Sequence, residues 1–89
     1  MKVEIVGNQD DLGMIIISAE RYALGRRTYV VQWTCEFIKN NLKLLSHKDK
    51  QVMIKDIKNA YYYGDSCDKY EWMKLLKILE SEIENEAKS

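Results

Sequence analysis

The sequence contains no proline, so no element in it is broken by a missing backbone donor, and punctuation falls to glycine and capping side chains. Glycine is scarce as well, with four residues at positions 7, 13, 25 and 64. Only two cysteines are present, Cys35 and Cys67, and they form no CxxC pair, which removes local support for a zinc or dithiol motif. A single bridge between them stays open. The one histidine, His47, stands among lysines, so a metal site or Cys-His nucleophile would have to be assembled by the fold, and a solvated surface histidine is the plainer reading. Net charge is absent too. Fourteen basic and fourteen acidic residues cancel, leaving no overall excess to displace counterions from a phosphate backbone. The longest apolar run, Met14 to Ile17, falls far short of the roughly 20 residues that cross a bilayer, which speaks against a membrane partner. The opening MKVEIVGNQDD lacks the apolar core and small-residue cleavage site of a secretory signal, and a cytoplasmic protein is expected. GxSxG, P-loop, HExxH and dinucleotide fingerprints are all missing. The expectation is therefore no enzyme, no catalytic residue, no metal ligand and no cofactor.

What is present reads as helix. Eighty-nine residues suit one domain with a core that is just adequate, here a single helical domain over 1–89. Val3 and Ile5 alternate with Lys2 and Glu4, which predicts a short N-terminal strand or extended arm. Leu12, Ile15, Ile16, Ala19, Tyr22 and Ala23 then recur at helical spacing, with Asp10 or Asp11 available as a cap. The β-branched run at 14–17 keeps a hairpin with residues 2–6 open as an alternative. Gly25 suits the left-handed end of that helix and Thr28 the cap of the next, so ALGRRTYVV reads as a joint between two adjacent helices. A second helix from Tyr29 to about Leu44 carries Val30, Trp33, Thr34, Phe37, Ile38, Leu42 and Leu45 on a wide apolar face. Ser46-His47-Lys48-Asp49 resembles a capping box with aspartate in its last position, and it opens a third helix with Met53, Ile54, Ile57, Ala60 and Tyr61 inward. Asp68-Lys69-Tyr70-Glu71 is a second such box, followed by Trp72, Leu75, Leu76, Leu79 and Ile83. The expected fold is mainly α, a compact four-helix bundle-like domain with a short extended N-terminal arm or strand.

Four features offer candidate contacts. Arg26-Arg27 forms either a guanidinium fork for a carboxylate or phosphate, or a structural pair in which one arginine serves the end of the first helix and the other meets Asp65 or Asp68. Tyr61-Tyr62-Tyr63 cannot all face one core, because successive helical positions differ by about 100°; Tyr62 and Tyr63, with Asp65, are therefore candidate interface residues. Between Lys39 and Lys58 six lysines face two aspartates, a segment able to touch nucleic acid through Lys43, Lys48, Lys50, Lys55 and Lys58. From Asp65 onward seven acids outnumber four lysines, and Glu80, Glu82, Glu84 and Glu86 offer negative charge to a basic groove. Both charged segments also read as solvated faces.

RYALGRRTYVV at 21–31, followed by the Gly64-Asp65-Ser66-Cys67-Asp68 loop and Trp72, resembles a family of small proteins encoded by bacteriophages and prophages. The resemblance spans roughly residues 19–79. It implies an arginine–aspartate contact that positions the second and fourth helices, and a non-enzymatic anti-defence protein in the host bacterial cell, anti-CRISPR proteins included. The expected function is inhibition by occupying a host protein, such as a CRISPR effector nuclease, through Arg26, Arg27, Tyr62, Tyr63, Asp65 and the four glutamates. The alternatives are a nucleic-acid-binding regulator using the Lys39–Lys58 face and a virion or replication accessory that forms homodimers.

Overall fold

Helix α1 spans Gln9–Ala23, α2 Thr28–Asn40, α3 His47–Tyr63 and α4 Lys69–Lys88, with one 3-10 turn at Leu42–Leu44 between α2 and α3. The computed structural model describes residues 8–63 and 69–88, without the side chains of residues 9, 10 and 61–63. The strand or arm expected at 1–6 lies outside the described residues, as does the cap at Asp68. Among the described residues there is no strand, and the 14–17 run is helical rather than half of a hairpin. No helix among them is long and apolar enough to cross a membrane.

The four helices close a ring. α1 packs on α2 and α3, while α4 packs on the other sides of the same two helices. Ile16 and Ala23 of α1, Val31, Cys35, Phe37 and Ile38 of α2, Met53 and Ile57 of α3, and Trp72, Leu75, Leu76 and Leu79 of α4 meet in one core, joined by Leu45. These are largely the inward positions that a 3.6-residue period selects. Each helix in such a ring has two close neighbours, so a wedge of its surface facing away from both stays uncovered.

Local chemistry fixes the joints. Gly25 has φ 79°, the left-handed region that ends α1 without a Cβ clash. Two caps differ from the sequence expectation. α1 begins one residue after Asn8, whose carbonyl accepts the Leu12 N–H at 2.9 Å, so Asp10 and Asp11 lie inside the first turn, and the Asp11 charge suits the helix dipole there. Thr28 is likewise already helical; Arg27 is the N-cap, in extended conformation and without a side-chain hydrogen bond. α2 is shorter than expected because Asn41 stops it: its Nδ2 donates to the Phe37 carbonyl at 2.8 Å, satisfying an acceptor that the next turn would have used. The aspartate-ended capping box is complete. Ser46 N–H donates to Asp49 Oδ2 and Asp49 N–H to Ser46 Oγ, both at 3.1 Å.

Candidate functional site

Three side chains assigned to the core by their spacing are on the surface. Ile15 is 52% exposed, Tyr22 63% and Trp33 44%, and Tyr29 beside them is 69% exposed. The reason is angular: on α1, Leu12, Ile16, Glu20 and Ala23 take the inward direction, and positions 15 and 22 are turned by about 100° from its centre, with half-buried Ala19 about 55° away on the same side. There they meet the corresponding flank of α2. Ala19, Tyr22, Tyr29, Val30, Trp33 and Thr34 together line an open groove of about 570 Å³ between the two helices. Trp33 stacks on Phe37 with ring centres 5.6 Å apart and planes 8° from parallel, which holds the indole in place while its outer face meets water.

Arg26 closes one end of this face. Its Nε donates to the Tyr22 carbonyl at 3.1 Å and its guanidinium lies 4.6 Å from the centre of the Tyr22 ring. This is the structural half of the reading given to the arginine pair, because the cation serves the carbonyl end of α1. It also leaves positive charge at the rim of an apolar surface. Arg27 is exposed at the α2 N-cap. A pairing with Asp65 or Asp68 lies outside the described residues, as does Asp65 itself. α3 runs through Tyr62 and Tyr63, whose side chains lie outside the described residues as well.

The two charged segments face each other. Lys58 of α3 pairs with Glu80 of α4 at 3.3 Å, and Lys50 and His47 of α3 both reach Glu86, His47 Nδ1 at 2.7 Å. His47 is thus exposed but engaged. Lys50 is nearly buried, and its ammonium pairs with the Glu86 carboxylate at the end of the bundle. The Lys50 hydrogen bond and then the one from His47 hold the Glu86 carboxyl below its ordinary value. Glu84 pairs within α4 with Lys88 at 3.1 Å. The four glutamates do not form one row: at 100° per residue, Glu80 and Glu84 share one side of α4 while Glu82 and Glu86 share the other.

Glu20 escaped the sequence reading, since a glutamate between Ala19 and Arg21 looks like a solvated position. It is fully buried, and neither carboxylate oxygen meets a donor among the described residues. Asp56 of α3 adjoins it, and Asp56 Oδ2 accepts from Arg21 Nε at 2.8 Å. Burial first, then hydrogen bonding to Asp56 and the Asp56 charge, push the Glu20 carboxyl up from 4.5 to about 9, against a smaller opposing effect of Arg21. Glu20 is therefore neutral at neutral pH. The only signal in the sequence is its spacing, four residues after Ile16 on the inward side.

Among the described residues, no group of three or more His, Cys, Asp or Glu side chains is arranged to hold a metal ion. No protein-family model matches the chain, and no curated protein and no solved structure matches it.

Proposed function

We propose that the protein is a non-catalytic binding module that seats a helix of a protein partner on its α1–α2 face. The observation that carries this reading is the groove of Tyr22, Tyr29, Val30 and Trp33, whose lining is almost wholly apolar and whose aromatic rings stand in water. Tyrosine and tryptophan give large rigid contact area at little cost in side-chain entropy, and an amphipathic helix is the shape that fills a trough between two helices. The charged segments favour a protein over a nucleic-acid partner. Lys50 and Lys58, two of the lysines a phosphate backbone would need, are already neutralised by Glu86 and Glu80.

Within this class, the resemblance of RYALGRRTYVV and its accompanying GDxxD loop to small phage proteins supports a narrower role: occupying a host defence protein, a CRISPR effector nuclease among the candidates. Occupation alone inhibits such a target, and no catalytic group is required of the inhibitor. The test is affinity capture. The immobilised chain is incubated with lysate of bacteria that also express an untagged copy, beside a Tyr22→Ser/Trp33→Ser variant with the same far-UV circular dichroism. A protein retained by the native chain and lost from the variant is the expected result. An identical retained set in both contradicts the proposal.

A further inference from the structure

We infer that the helix seated on the α1–α2 face is α1 of a second copy of this chain, in a two-fold dimer with Ser18 at the axis. The inference rests on the reading that this face is the working surface, and names a second copy as its occupant in the free protein, which a host protein would have to displace.

The outward side of α1 carries its residues in a palindromic order. Asp11, Met14, Ile15, Ser18 and Tyr22 are all exposed and fall within an arc of about 100°. Arg26, folded back onto the Tyr22 ring, extends the row past the helix end. Read in sequence, the row is acid, apolar, small, apolar, base. Reversing a second copy about Ser18 sets Asp11 against Arg26, Met14 and Ile15 against Tyr22, and Ser18 against itself. A surface that is its own complement under a two-fold is what an isologous interface requires.

Charge and area agree with that pairing. Asp11 stands about 10 Å along the axis from Ser18 and Arg26 balances it on the other side, so both ends of the interface carry an opposite-charge pair. Arg21, the other cation on the exposed side of α1, is held by Asp56 and does not compete. Ser18, with its short side chain, lets the two helices approach, while Tyr29 and Trp33 of α2 flank the partner helix. Met14, Ile15, Tyr22, Tyr29 and Trp33 expose roughly 600 Å² between them. With Asp11, Ser18 and Arg26 the surface approaches the ~800 Å² per partner of a standard stable interface.

Sedimentation equilibrium of the full chain tests the inference. The native chain is expected to dimerise, Ser18→Arg to be monomeric, and Asp11→Arg and Arg26→Asp each to weaken the dimer by about tenfold or more. Mixing the two single reversals should restore a one-to-one pair, because each reversed charge then meets its opposite. All three positions are exposed, and circular dichroism verifies that each variant is folded. A native chain monomeric at every concentration, or a dimer indifferent to these substitutions, overturns the inference. So does a monomer that becomes dimeric when residues 1–7 are removed, which assigns the face to the chain's own N-terminal segment. If the chain is monomeric but capture of another protein still depends on Tyr22 and Trp33, the second copy is excluded and the binding face survives. If neither self-association nor capture depends on those rings, both proposals fall.

Discussion

Arg21 on α1 holds Asp56 on α3 through a 2.8 Å contact from Nε to Oδ2, and the carboxyl beside that pair, Glu20, is buried with no cation of its own. The arrangement makes folding proton-linked. A carboxyl of value 4.5 in the unfolded chain and about 9 in the fold is taken up neutral, so its contribution is intact below 4.5 and is lost as pH rises toward 9. By about pH 7 the cost is on the order of 3 kcal/mol. Glu20→Gln keeps the shape without the proton requirement. Urea denaturation as a function of pH should show native stability falling across this window, and the glutamine variant flatter and about 3 kcal/mol more stable at about pH 7.

Glu86 acts in the opposite pH direction. Its carboxyl is held low by Lys50 and His47, so its contribution is present above the ordinary glutamate range and lost as pH falls through the lowered value. Glu86→Gln should destabilise the protein at about pH 7, chiefly by leaving the near-buried Lys50 ammonium without its carboxylate, and the difference should close at about pH 3. Parallel denaturation curves at the two pH values check this.

Gly13 and Asp49 are coupled across the α1–α3 contact. A Cβ at Gly13 would strike the Asp49 carboxylate, which is committed to the Ser46 N–H and cannot turn aside without opening the cap. Gly13→Ala should therefore forfeit the gain of about 1 kcal/mol that alanine brings to a helix interior, and recover it once Asp49→Ala has removed the obstacle. A double-mutant cycle measured by thermal unfolding should return a coupling of about 1 kcal/mol.

Trp72 is fully buried with its indole N–H unpaired among the described residues. Trp72→Phe trades a cavity costing about 1 kcal/mol against relief of an orphan donor worth about as much. The expected change in stability is under about 1 kcal/mol by chemical denaturation, well below the ~3–5 kcal/mol of truncating an aromatic core residue to alanine.

The sequence exposed the fold through particular residues. Gly25, the Ser46–Asp49 box and the 3.6-residue recurrence from Leu12 to Ile83 located four helices without tertiary information, because each is a local backbone requirement. Periodicity also marked Ile15, Tyr22 and Trp33 as apolar-face residues, which they are, and wrongly as core. Spacing gives the direction of a side chain and not the width of surface that neighbours cover; in a ring of four helices that width is smaller than the apolar arc on α1 and α2. The surplus is the candidate site. Glu20 was illegible for a related reason, since its environment is made by Asp56, a residue distant in sequence. Arg26 and the glutamates of α4 were found as charges, but their pairing with the Tyr22 carbonyl and with α3 lysines depends on how the helices dock.

Engagement of a partner covers the outer face of Trp33. With Trp72→Phe leaving Trp33 as the sole tryptophan, its fluorescence reports that event directly. Emission should shift to shorter wavelength, and acrylamide quenching should weaken, in step with complex formation as the concentration of the chain or of a captured protein is raised. A complex that forms while emission and quenching stay unchanged would contradict the account.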